Sequence, residues 1–151
     1  MDLRGKEKLM DRREFFAVAG TIAAAASASE AFAQMAAETP MHPPKYKALE
    51  EAAAHCVATG NDCLRHCLGM YAMKDTSMAG CADAAYQVVA ACGALQALAA
   101  VNSAYVGAIA KGVEQVCRQC QKECEKWPKI SECKACGDSC KACAEECAKS
   151  A

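Results

Sequence analysis

The sequence predicts an all-α protein, folded as an antiparallel up-down-up-down four-helix bundle with a cysteine-lined core. Three observations predict it. Residues 45–151 divide into four stretches of helical pattern joined by turns of a few residues. No stretch alternates apolar and polar residues as a half-buried strand does. The cysteines recur at helical spacing on every one of the four stretches.

The first helix is expected from about Lys45 to Met73, tolerating Gly60 inside it. Lys74-Asp75-Thr76-Ser77 follows as a turn supplied with residues that cap helix N-termini. The second helix, from about Met78 to Ala100, is rich in alanine, the best helix former. Asn102-Ser103 marks the next turn and cap, and the third helix runs from about Ala104 to Lys126. Trp127-Pro128 then interrupts the pattern, because proline cannot continue a helix interior. The fourth helix runs from about Lys129 to Lys149.

Three segments precede or make up this plan: residues 1–33 as a leader, 34–44 as a flexible lead-in, and 45–151 as the bundle. The leader has a basic start, then Arg12-Arg13 followed by Phe15-Phe16, then the apolar stretch Ala17 to Ala28. This resembles a bacterial twin-arginine export signal, with Ala31-Phe32-Ala33 as a cleavage site before Gln34 and Ala26-Ser27-Ala28 as a second candidate. The expected location is the periplasm or another extracytoplasmic membrane compartment. The lead-in carries Pro40, Pro43 and Pro44. No apolar run is long enough for a mature transmembrane helix. A formal charge of −1 leaves no electrostatic footprint for nucleic acid or an anionic membrane surface.

Thirteen cysteines lie far above ordinary usage. From Gln34 onward the chain has five Leu, two Ile and seven Val, so cysteines nearly equal all branched aliphatics together. At about 100° per residue, Cys56, Cys63 and Cys67 fall within an arc of about 60° on the first helix. Cys81 and Cys92 lie about 20° apart on the second, and Cys117, Cys120 and Cys124 span about 60° on the third. Cys133, Cys136, Cys140, Cys143 and Cys147 repeat at alternate spacings of three and four, the core seam of a heptad. Each helix carries one sulfur stripe where its core face should be.

Buried hydrophobes, disulfides and metal ligands compete to explain the stripes. Thirteen small residues at seam positions would leave an underpacked core. Neighbours one turn apart have Cβ atoms ~5–6 Å apart, against ~3.5–4.5 Å in a relaxed disulfide. Bridges between helices stay open, giving a disulfide-stapled exported bundle as the alternative. Metal ions fit the same spacings, and thiolates select Cu(I), Zn(II) or iron–sulfur clusters. A row of Zn(II) ions each held by four thiolates would bury repeated dianions, which is costly. One Cu(I) per bridging thiolate is close to neutral, so Cu(I) in multiple copies is the expected cargo.

Met70, Met73 and Met78 cluster with His66 at one end of the bundle, where soft thioethers and an imidazole could carry Cu(I) into the thiolate core. The opposite end collects Leu95, Leu98, Val101, Val106 and Ile109, with no cysteine between Cys92 and Cys117. The expectation is an apolar plug at a closed end and a Met/His mouth at an open one. His55 reads as a surface residue and His42, beside Met41, as part of a solvated linker.

A twin-arginine leader, four helices and inward Cys stripes ending in the Cys133–Cys147 series resemble the bacterial copper storage proteins, specifically the exported branch found in methane-oxidising bacteria. The resemblance spans essentially the whole chain after the leader. It implies a homotetramer of bundles filling with Cu(I), and copper supply to a recipient enzyme, the particulate methane monooxygenase. It also implies that His66, Met70, Met73 and Met78 are mouth ligands beside the thirteen cysteines. Catalysis is not expected: a thiol-redox enzyme needs a CxxC at a helix N-terminus beside a sheet, and no sheet is in prospect. A copper chaperone is a further alternative, but one labile ion needs only two or three ligands.

Overall fold

The computed structural model describes residues 41–151. The expected leader, with its twin-arginine reading and both expected cleavage sites, lies outside the described residues. Four helices follow one another: α1 (Lys47–Ala72), α2 (Ala79–Ala100), α3 (Val106–Cys124) and α4 (Ser131–Ser150). Helix α1 packs against α2 and α4, and α3 packs against the same two, so the four close into a ring around one core. Short turns make successive helices antiparallel. No strand occurs among the described residues.

The turns differ from the capping expected of them. No helix has a side-chain hydrogen bond at its N-cap; Tyr46, Met78, Tyr105 and Ile130 occupy those positions. The polar turn residues are used within the turns instead. Asp75 Oδ1 accepts the Ser77 N–H at 2.8 Å, and Ser103 Oγ accepts the Tyr105 N–H at 3.2 Å. Helices α2, α3 and α4 therefore start one or two residues later than the cap residues suggested.

Helix C-termini do the closing. Lys74 (φ 62°) and Asn102 (φ 53°) are left-handed. The Lys74 and Asp75 amides return to the Tyr71 and Met70 carbonyls, and the Asn102 and Ser103 amides return to Ala99 and Leu98. Both are the paired bonds of a Schellman ending, a position that favours glycine and tolerates asparagine. Lysine has neither advantage. Lys74→Gly should therefore stabilise the chain by about 1 kcal/mol, since a left-handed residue with a Cβ costs roughly that much. Thermal melts of the metal-free protein would show it as a higher midpoint; an unchanged or lower midpoint would contradict this account of the turn.

Small residues let the helices approach closely. Gly60 on α1 is buried against α2, where an added Cβ would lie 2.8 Å from Val89 Cγ2 and 3.3 Å from Val88 Cγ1. This is why α1 tolerates a glycine that its helix propensity disfavours. Ala82, Ala84, Ala85 and Ala144 fill other core positions.

The closed end differs in part from expectation. Leu95 and Val106 are fully buried there, joined by Leu49, Ala53, Ala99 and Ala110. Leu98 is half-buried, but Val101 (72 % exposed) and Ile109 (39 %) face solvent rather than plugging the core. Helix α2 and its turn carry no charged residue from Ala84 to Ala110, so apolarity there does not distinguish inside from outside.

Candidate metal centre

Every one of the thirteen cysteines is buried and free. They arrive there because each helix turns its stripe inward, as 3.6-residue periodicity demands. Neighbouring sulfurs meet at 3.5–4.0 Å without bonding, as in Cys63–Cys81 at 3.5 Å and Cys81–Cys124 at 4.0 Å.

Four groups of sulfurs converge so that all members lie within 4.8 Å of one another. Cys56, Cys92, Cys117 and Cys143 form a quartet that takes one thiol from each helix. Cys63–Cys67–Cys81, Cys63–Cys124–Cys136 and Cys120–Cys136–Cys140 form three triplets. The triplets share Cys63 and Cys136, so they join end to end. Cys140 then meets Cys56 of the quartet at 3.5 Å. Cys133 contacts Cys63 and Cys81 at 3.8 and 3.9 Å, and Cys147, one turn beyond Cys143 on the α4 stripe, feels that thiol most strongly. The result is one unbroken ladder of thirteen sulfurs along the bundle axis.

The copper storage protein family model matches residues 42–151 of this chain. The chain belongs to the copper storage protein family. No curated protein matches it.

Within this copper storage bundle, the mouth residues separate. Met78 is fully buried and Met70 half-buried, packed against the core. Met73 is 69 % exposed and is not brought to the thiols. His66 is half-buried, and its Nε2 atom is buried with no hydrogen-bond partner among the described residues. An orphaned buried nitrogen carries a desolvation cost that a soft cation would relieve. His55, His42 and Met41 are exposed.

Sequence reasoning missed Ser139, the only buried polar side chain among the described residues. Its Oγ donates to the Cys136 carbonyl at 2.9 Å, meets Thr59 Oγ1 at 2.5 Å and lies 3.9 Å from Cys56 Sγ. The signal was its place beside Cys140 on the α4 stripe. Among the described residues no Lys or Arg side chain is buried in the core.

Thiol chemistry within the ladder is uneven. Hydrogen bonding from Cys124, then Cys63, pulls Cys81 down to about 3. Cys117, then Cys147, pull Cys143 down to about 5. Their neighbours Cys124 and Cys147 are pushed up instead, each first by hydrogen bonding to a neighbouring sulfur and then further by burial. Burial comes first for Cys67, raised from 9.0 to about 11, and for Cys133, raised to about 12. Each segment of the ladder thus offers a sulfur that accepts charge and others that surrender protons only to a competing cation.

A raised thiol binds its proton more tightly when folded. Its contribution is complete below the unfolded value of 9.0 and is lost as pH climbs through about 11 and 12. The metal-free bundle should therefore lose stability between pH 9 and pH 12, in the window set by Cys67 and Cys133. Melting temperatures recorded anaerobically across that range test it. A flat profile, or one that rises, would show that those two thiols are not desolvated.

Proposed function

We propose that this chain stores Cu(I) in many copies, up to about one ion per cysteine, and performs no catalysis. The observation that carries this reading is the unbroken sulfur ladder in a core without cations. Shared sulfurs, such as Cys63 and Cys136, suit ions bridged by common thiolates. A metal monocation per bridging thiolate keeps the buried column close to neutral, and soft sulfur selects Cu(I).

His66, Met70 and Met78 would pass copper between the mouth and Cys67, with Met73 as an outer contact. The uncharged outer surface of α2 after Asp83 and of the turn that follows it, where Tyr86, Val101 and Tyr105 are exposed, supports assembly into a homotetramer. Export through the twin-arginine route and supply to a copper enzyme such as particulate methane monooxygenase complete the reading. No helix among the described residues is long and apolar enough to cross a membrane.

A second reading concerns the quartet alone. Zn–S bonds of ~2.3 Å in a tetrahedron place sulfurs ~3.8 Å apart. Cys92 lies 3.6 Å from Cys117 and 3.8 Å from Cys143, so the quartet is sized for one Zn(II). Four thiolates around it would leave a buried dianion with no cation nearby, and this favours Cu(I).

Anaerobic titration of the reduced protein with Cu(I), against a chromogenic chelator, tests both. Storage predicts a break near 13 ions per chain. A break at one or two would leave a chaperone, and saturation by a single Zn(II) that Cu(I) cannot displace would make the quartet a zinc site.

A further inference from the structure

At the same end of the bundle as the Met/His mouth, but on its α3–α4 side, a groove of about 310 Å³ runs over the seam between those two helices. That volume is at the lower end of the range for small-molecule sites. Two thiols of the ladder, Cys124 and Cys133, line it, together with Gly137. Both are covered from water, yet they belong to the first sulfurs of the ladder: each lies within 4.0 Å of Cys81 Sγ. Gly137 thins the wall here, for a Cβ added to it would come within 3.2 Å of Cys124 Cβ.

The rim has a definite electrostatic character. Asp138 is paired with Lys134 at 2.6 Å, and Glu125 accepts from Gln121 at 2.8 Å. Asp138 is thereby neutralised along its own helix, while Glu125, bonded to a neutral amide, keeps its charge. Lys141 has neither an ionic nor a hydrogen-bond partner among the described residues and stands at the groove as an exposed ammonium. A pocket with thiols in its wall and an ammonium unpaired among the described residues at its edge is matched by a small molecule holding a soft ion at one end and a carboxylate at the other.

We propose that this groove docks a small carboxylate-bearing thiol complex of Cu(I) and hands the ion sideways to Cys124 or Cys133. The proposal rests on the Cu(I)-storage reading above. In the exchange, a new Cu–S bond to the protein forms as the bond to the carrier thiolate breaks. The proton of the protein thiol passes to the departing carrier thiolate, and copper remains Cu(I) throughout. Lys141 holds the carrier's carboxylate and takes no part in the bond changes.

Two measurements on the reduced chain test the groove. S-methylglutathione keeps the carboxylates but cannot coordinate through a thiolate. Titrating it into the metal-free protein should give saturable amide shifts at Gln121, Lys134, Asp138 and Lys141 in NMR spectra. The shifts should vanish in Lys141→Glu and persist in Lys141→Arg. Their absence from the unsubstituted protein, or their persistence in Lys141→Glu, would overturn the proposal.

The second measurement is the rate of anaerobic loading from two donors, the Cu(I)–glutathione complex and Cu(I)–acetonitrile. Lys141→Glu should slow loading from the anionic complex by about threefold or more at low salt and leave the cationic donor no slower. Equal slowing with both donors would overturn the role of Lys141. The final copper count is a separate readout: no uptake from either donor by the unsubstituted chain would reject storage, while the S-methylglutathione shifts would still decide the groove.

Discussion

Saturating the reduced chain with Cu(I) should raise its melting temperature by several tens of degrees. The reason lies in what fills the core. Between the mouth and the closed end, the axis of the bundle is occupied by thiols and alanines rather than leucines. A cysteine side chain buries less apolar area than leucine, and hydrophobic stabilisation scales with that area. Metal-free stability therefore rests on a small apolar cluster and on sulfurs in contact. Each ion that binds only the folded chain adds stability by linkage, about 2.7 kcal/mol at a free concentration one hundred times its dissociation constant. For a domain of this size, that is roughly 10–20 °C per such ion. Calorimetry under anaerobic conditions, at increasing copper per chain, should show the midpoint climbing in steps. Coincident melting curves with and without copper would mean that the sulfurs do not hold the ion in the folded core.

Leu95→Ala should be the most damaging substitution outside the cysteines. Leu95 is fully buried at the closed end with Leu49 and Val106, among the few large aliphatic side chains in the core. Truncating a buried leucine costs about 2–5 kcal/mol, through lost transfer energy and the cavity left behind. A domain typically has about 5–15 kcal/mol in total, so the metal-free variant should lose a large share of its stability, most of it if this thin core sits at the low end of that range. Loaded with copper, it should regain stability and hold the same number of ions, because Leu95 offers no ligand. Leu68→Ala, at a side chain 55 % exposed on α1, should change the midpoint little. Circular dichroism of both variants, with and without copper, checks the pair. A Leu95→Ala chain as stable as its parent would show that the apolar end is not what holds the empty bundle together.

Much of this was legible in the sequence, and the reason differs by element. The stripes on α1, α3 and α4 were readable because charged residues on the other faces, such as Lys134, Asp138 and Lys149, leave a single direction for the core. Helix α2 gave less, since nothing charged marks its outer face after Asp83. Its phase was anchored only by Cys81 and Cys92. Val101 and Ile109 looked like plug residues for that reason, and Leu49, which is buried in their place, stood alone in a stretch of charged and small residues. The turn chemistry was also only partly readable: Asp75 and Ser103 were recognisable as turn residues, but whether their oxygens would serve the helix or the turn depends on backbone angles set at Lys74 and Asn102.

The sequence by itself determined that four helices form, that thirteen sulfurs face inward, and that methionines gather at one end. Each of these follows from spacing along one chain, because a helix converts sequence interval into direction. Only the tertiary structure decided which sulfurs meet: that Cys56, Cys92, Cys117 and Cys143 converge from four helices, that Cys63 and Cys136 join the triplets, and that Cys124 and Cys133 lie beneath a groove. Those facts depend on the axial offset and close approach of separate helices, set by contacts such as Gly60 against Val88 and Gly137 against Cys124. Periodicity within one helix fixes direction, and packing between helices fixes height.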